Sequence, residues 1–166
     1  MCVIENKMRI NFESRSENES FARVVAAAFI LNLDPTLEEM NDFKTAVSEA
    51  VTNCIIHAYE KTIGEIVMEI KTTKYDKTKN DVKGCIEVKI MDSGCGIVNI
   101  EEAMEPLYTT KPDEERSGMG FAFMEAFMDE LKCESLIDNG TTIYMKKYIK
   151  VNERETDTSL VGKEEL

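Results

Sequence analysis

The chain has 166 residues, 43% hydrophobic and 31% charged, enough for one globular domain with its own core. Its net charge of −12 excludes a nucleic-acid binder that works through a basic surface, and any polyanionic ligand would need local cations or a metal ion. No apolar run approaches the ~20 residues that span a membrane, no signal peptide is evident, and the five cysteines form no C-x-x-C pair, so a cytoplasmic protein without membrane, disulfide framework or zinc site is expected.

In chain order, NKMRINFES (6–14) alternates Met8, Ile10 and Phe12 and reads as a strand. SENESFARVVAAAFILNL reads as a helix with Ser16 or Asn18 as N-cap. Its main apolar stripe is Phe21, Val24, Val25, Ala28 and Leu31; a second runs through Ala22, Ala26, Phe29 and Leu33, so cover on both sides is expected. At DPT (34–36), Asp34 is expected to cap a second helix, with Pro35 at its first position, running to about Tyr59 with Gly64 beyond. GEIVMEIKTTKY and GCIEVKIMD read as two strands of a hairpin with DKTKNDVKG as a long polar loop.

After SGCGI come a short helical piece, NIEEAM, and the irregular run EPLYTTKPDEERSGMG. FAFMEAFMDELK predicts a third long helix, and CESLIDNGTTIYMKKYIKV a hairpin over Asn139-Gly140. One domain over 1–150 and a polar, disordered tail over 151–166 follow from this pattern. Strands and helices that mix without strict alternation favour an α+β two-layer sandwich, helices on one face of a mixed sheet.

Three stretches carry chemistry. In SEAVTNCIIHAYE (48–60), Glu49, Asn53 and His57 stack on one face of an otherwise apolar helix. Each polar group there needs its own partner, and a general base beside an amide oxygen holding Mg²⁺ would account for the first two. His57, near the helix end, is expected to be structural or a cap. In IEVKIMDSGCGI, alternation puts Asp92 on the core face at the strand's end, and Gly94 and Gly96 let the backbone turn and a flat ligand approach. Alone, this stretch reads more readily as a strand end followed by an ordinary Asp-Ser-Gly turn. In ERSGMGFAFMEAF, Gly118 and Gly120 open a helix whose free N–H groups favour a phosphate, with Lys111 and Arg116 just upstream; alone, it reads equally as a flexible loop before an amphipathic helix with both cations solvated.

The order E-x-x-x-N, D-x-G-x-G, Gly-rich helix start and G-T-T resembles the ATP-binding (Bergerat-type) fold shared by gyrase, Hsp90, histidine kinases and MutL-type proteins. NESFAR, LDPT, VSEAVTNCIIHAYE, DSGCGI, PLYTTKP and ERSGMGF narrow the resemblance, over about residues 5–150, to the anti-sigma factor family of endospore-forming bacteria. Members are homodimeric serine kinases that use Mg-ATP to phosphorylate an anti-anti-sigma protein and also sequester a sporulation sigma factor. The resemblance implies Glu49 as general base, Asn53 as Mg²⁺ ligand, and Asp92, helped by Gly94, Gly96 and Thr141, as reader of the adenine amino group. It implies a lid over the triphosphate from Pro106 to Gly120, with Thr110, Lys111, Arg116, Ser117, Gly118, Met119 and Gly120 near the phosphates, and Arg23 as a partner-binding position. Ala58, where that family usually has glycine, and the long 74–84 hairpin depart from its pattern. A non-catalytic module, in which ATP only gates sigma-factor binding, is the alternative.

Overall fold

The computed structural model describes residues 3–59, 62–79, 81–105 and 118–151. Strands β1 (Val3–Glu13), β2 (Glu65–Lys79), β3 (Val82–Asp92), β4 (Glu130–Leu136) and β5 (Gly140–Lys150) form one sheet in the order β1-β2-β3-β5-β4. Every neighbouring pair is antiparallel, where a mixed sheet was expected. The reason is connectivity. Two helices, not one, separate β1 from β2, so the chain returns in the opposite sense; β5 then folds back from edge strand β4 to lie against β3.

Period-two alternation turns Ile66, Met68 and Ile70 of β2, Ile86, Val88 and Ile90 of β3, and Ile143 and Met145 of β5 onto one face, where all are buried. Helices α1 (Glu17–Ile30), α2 (Leu37–Asn53) and α4 (Gly120–Phe127) contribute Ala22, Ala26, Phe43, Val47 and Met124 to the same core. The architecture is therefore the two-layer α+β sandwich. A one-turn helix α3 (Ile100–Ala103), capped by Asn99, follows β3.

On α1 the two stripes divide unequally. Ala22, Ala26 and Leu33 are buried, whereas Phe21, Val24 and Leu31, on the stripe expected to dominate, are exposed. Small alanines let α1 lie close on its neighbours, so packing selects the face with less bulk. Ser16 occupies the N-cap without a side-chain cap bond, and Asn18 Nδ2 instead donates to the Glu13 carbonyl.

Helix α2 starts later than Asp34 and Pro35 suggest. Thr36 is its N-cap: Thr36 Oγ1 accepts from the Glu39 amide at 3.1 Å, and Glu39 Oε2 accepts from the Thr36 amide at 2.8 Å, a capping box. Asp34, at φ 49°, instead ends a 3₁₀ turn over Leu31–Leu33 and pairs with Lys83 at 3.3 Å. Beyond Asn53 the chain continues as a wide π turn, Cys54–Ala58, rather than as α-helix to Tyr59.

Two other boundaries move. The polar run after Tyr75 lengthens β2 and β3 instead of forming a loop, with Lys79 opposite Val82 and a register shift between Lys74 and Lys79. Helix α4 stops at Phe127, and DELK opens with β4. Lys147 Nζ donates to the Phe127 carbonyl at 2.7 Å, and Asp129 accepts from the Tyr148 amide at 2.7 Å, so β5 itself ends the helix. The expected hairpin forms, but it turns through Ile137, Asp138 and Asn139: the Asn139 amide donates to the Leu136 carbonyl at 3.0 Å, and Gly140 already pairs with Leu136 as the first residue of β5.

Candidate active site

The C-terminal half of α2, the loop after β3 and the start of α4 surround a cavity of about 500 Å³. That volume falls in the range of small-molecule sites. Glu49, Asn53, Asp92, Gly96, Gly118, Met119, Gly120 and Thr141 all line it. Eight positions singled out in the sequence, from four separate segments, thus converge on one space.

Glu49 and Asn53 sit one turn apart on α2 and face the start of α4. A Cβ added at Gly120 would lie 3.2 Å from Glu49 Oε2 and 3.3 Å from Asn53 Oδ1. Glycine at 120 therefore lets the first turn of α4 close on the carboxylate and the amide, placing a helix N-terminus beside both. The Gly118 backbone enters this corner at φ +62°.

Asp92, 9% exposed, closes the other end. Its Oδ1 accepts from the Gly94 amide at 2.9 Å and the Thr141 amide at 3.2 Å. Those bonds offset its desolvation and fix the carboxylate plane. Glycine is required where β5 meets this strand, because Gly140 holds φ +92° and a Cβ there would lie 2.0 Å from the Asp92 carbonyl. Gly94 does not line the cavity; it packs on Ala58, whose carbonyl would lie 2.2 Å from an added Cβ.

Several neighbours were not anticipated. Cys54, buried after Asn53, directs its thiol to Asp92; burial first, and then the Asp92 charge, push its pKa well up. The Tyr59 hydroxyl accepts from the Ser93 amide at 2.8 Å and donates to the Glu65 carbonyl at 2.5 Å. Ser135 Oγ accepts from the Ile97 amide at 2.7 Å and lies 2.8 Å from Thr141 Oγ1. A tyrosine closing a helix and a serine on an edge strand are ordinary in sequence, so only proximity reveals them. The His57 carbonyl accepts from the Cys95 thiol at 3.2 Å.

Arg23 stands apart on α1, 3.7 Å from Glu19, which also accepts from the Ser48 hydroxyl. Thr110, Lys111, Arg116 and Ser117, with most of the expected lid, lie outside the described residues, as does the tail beyond 151. Among the described residues no three His, Cys, Asp or Glu side chains converge as a metal cage. A metal in the cavity would need most of its oxygens from a ligand and water, with Asn53 Oδ1 adding one, the coordination habit of Mg²⁺.

The histidine kinase-like ATPase domain family matches residues 12–147. The anti-sigma F factor of Priestia megaterium is 51% identical over 146 residues, 88% of this chain and 95% of that relative. That of Clostridium acetobutylicum is 55% identical over 145 residues, 87% of this chain and 95% of that relative. The chain belongs to the histidine kinase-like ATPase domain family, in its anti-sigma F factor group. A solved structure of the RsbU and RsbW domains of a Mycobacterium tuberculosis protein shares the fold at TM-score 0.60 and 16% identity, covering 89% of this chain and 33% of that one. The anti-sigma F factor group thus has, in this member, an acid, an amide and a helix start on one side of the cavity and a fixed carboxylate on the other.

Proposed function

We propose that the cavity binds Mg-ATP and that the chain is an anti-sigma factor with serine-protein kinase activity, in a single domain over 1–150. It would phosphorylate an anti-anti-sigma protein on serine and sequester a sporulation sigma factor. The observation that carries the reading is the meeting of Glu49 Oε2, Asn53 Oδ1 and the Gly120 backbone at one corner of the cavity.

Phosphoryl transfer needs chiefly positioning and charge neutralisation. Asp92, with its plane fixed by Gly94 and Thr141, accepts from the adenine amino group, and Gly96 gives the flat base room. The amides at Gly118–Gly120 face the phosphates, with Lys111, Arg116, Thr110 and Ser117 as further candidates. Asn53 Oδ1 would hold Mg²⁺, which would neutralise phosphate charge there. Glu49 takes the proton from the substrate serine as its oxygen bonds to the γ-phosphorus and the bond to the ADP oxygen breaks; a positioned base of this kind is worth ~10²–10⁴ in rate.

The test is transfer from labelled Mg-ATP to the antagonist protein, comparing the parent with Glu49→Ala. Transfer that collapses in the variant while ATP binding persists is the expected result. A parent that binds ATP and a sigma factor but transfers nothing would make the chain a nucleotide-gated inhibitor and remove the role of Glu49 as base.

The exposed stripe of Phe21, Val24 and Leu31 on α1 supports a homodimer, with Arg23 beside it as a partner contact. Sedimentation of the parent and of Val24→Glu tests this: a dimeric parent and a monomeric variant are expected, and a monomeric parent sinks it.

A further inference from the structure

The loop from Ser93 to Ile97 carries Gly96 into the cavity, and its shape is held from outside by two hydroxyls that do not line the cavity. At its start the Ser93 amide donates to the Tyr59 hydroxyl at 2.8 Å. At its end the Ile97 amide donates to Ser135 Oγ at 2.7 Å. Between them the Gly94 amide donates to Asp92 Oδ1 and the Cys95 amide to the Ala58 carbonyl, at 2.9 and 3.0 Å. Nearly every amide of the loop therefore has a specified acceptor, and the outer two acceptors are side chains.

Each hydroxyl is itself anchored. Tyr59 donates onward to the Glu65 carbonyl at 2.5 Å, and its ring occupies the space a side chain at Gly64 would need: an added Cβ would lie 2.0 Å from Tyr59 Cε1. Ser135 Oγ lies 3.1 Å from the Gly140 carbonyl and 2.8 Å from Thr141 Oγ1. One clamp ties the loop to the start of β2, the other to the β4–β5 hairpin that supplies the Thr141 amide to Asp92. Burial raises the Tyr59 pKa, so the hydroxyl keeps its proton and donates to the Glu65 carbonyl.

We propose that Tyr59 and Ser135 are positioning residues for the base-binding end of the cavity, holding the 93–97 loop so that Asp92 and Gly96 meet a flat base without reordering. This rests on the nucleotide reading above. A loop held in its bound shape beforehand loses less entropy when ligand arrives, so the clamps act on base affinity and leave the phosphate corner at Glu49, Asn53 and Gly120 alone.

The experiment measures binding of Mg-ATP and of magnesium tripolyphosphate, which lacks the base, to the full chain and to Tyr59→Phe, Ser135→Ala and Ser135→Thr. Tyr59→Phe keeps the ring in its seat and removes only the hydroxyl; Ser135→Thr restores one. Expected is a loss of about five- to tenfold in ATP affinity for Tyr59→Phe and for Ser135→Ala, in keeping with one hydrogen bond each. Tripolyphosphate affinity stays at the parent value, Ser135→Thr recovers most of the loss, and amide exchange quickens at Ser93 in the first variant and at Ile97 in the second.

Variants that bind ATP within twofold of the parent would sink the clamps and leave the nucleotide reading standing. An equal fall for ATP and tripolyphosphate would mean general loosening and would also overturn the proposal. A parent that binds neither probe sinks the nucleotide reading and the clamps together.

Discussion

The backbone amide of Thr141 donates to Oδ1 of Asp92 at 3.2 Å, joining the start of β5 to the end of β3 at the floor of the cavity. Asp92 is thus both a structural acceptor and the carboxylate offered to a ligand, and the two uses can be separated. In Asp92→Asn the amide oxygen can still accept from Gly94 and Thr141, so the fold is expected to survive. On the nucleotide binding proposed above, the other oxygen becomes an NH₂ group, a donor opposed to the donor amino group of adenine. ATP affinity is expected to fall roughly 10- to 100-fold, the cost of losing a charge-assisted bond and opposing two donors. Calorimetric titration and thermal melting on the same sample check this. Unchanged affinity would remove Asp92 from base recognition.

Gly140 controls the same junction from the backbone. It combines φ +92° with a Cβ position 2.0 Å from the Asp92 carbonyl, so Gly140→Ala meets both conformational strain and a backbone clash. The strain alone costs about 1–3 kcal/mol. Relief requires the hairpin to draw away from β3, which also draws the Thr141 amide off Asp92. Urea unfolding should show the stability loss, and nucleotide affinity should fall with it. An alanine variant as stable as the parent would mean that the hairpin can relax without cost.

Residues that line the cavity were easier to pick out in the sequence than the ends of the elements that carry them. Glu49 and Asn53 were legible because a carboxylate and an amide on one apolar stripe are expensive, so their presence asks for partners, whereas Asp92 alone read as a turn and took its place from the resemblance. Element ends were less legible, since distant groups decide them. The apolar period of FAFMEAFMDELK runs on past Phe127, yet Lys147, reaching from β5 to the Phe127 carbonyl, and Asp129, accepting from the Tyr148 amide, stop the helix. The polar run after Tyr75 has poor strand propensity and still lengthens β2 and β3, across a register shift between Lys74 and Lys79 that no alternation in the sequence announces. On α1 both stripes were apolar, and periodicity cannot say which one meets the core. Asp34-Pro35 read as a helix start, and the capping box of Thr36 and Glu39 sets the start instead.

Lys147 offers a test of how the end of α4 is set. Its side chain is 12% exposed, points to the helical layer from β5, and pairs with Asp42 at 3.2 Å while capping the Phe127 carbonyl at 2.7 Å. Lys147→Met keeps the length of the side chain and removes both interactions, leaving Asp42 without this cation and a helix C-terminus without this donor. A loss of about 1.5–3 kcal/mol is expected, in the range for hydrogen bonds to charged groups. Chemical denaturation measures it. Since α4 begins at the Glu49–Asn53 corner, hydrogen exchange at Phe121 and Ala122 should quicken as well; a stable variant with unchanged exchange would show that packing on α2 alone sets the helix.

Alkaline pH addresses the sulfur beside Asp92. Burial, followed by the charges of Asp92 and Glu134, raises the Cys133 thiol from 9.0 to about 11. Below pH 9 the thiol is protonated in folded and unfolded chains alike, so its contribution is fully present. As pH rises from 9 through 11 the unfolded chain gives up this proton first, binds fewer protons than the folded one, and gains stability relative to it. The folded state therefore loses stability across that window. Cys54, also raised by burial and by Asp92, adds a loss of the same sign, and Tyr75, raised to about 12 by its hydrogen bond to Cys85, adds another at higher pH. Urea midpoints should accordingly fall between pH 8.5 and 10.5, with Cys133→Ala flattening the slope without abolishing it. A slope identical in parent and variant would mean that the Cys133 thiol ionises as freely in the folded chain as in the unfolded one, and that the charge of Asp92 does not reach it across the floor of the site.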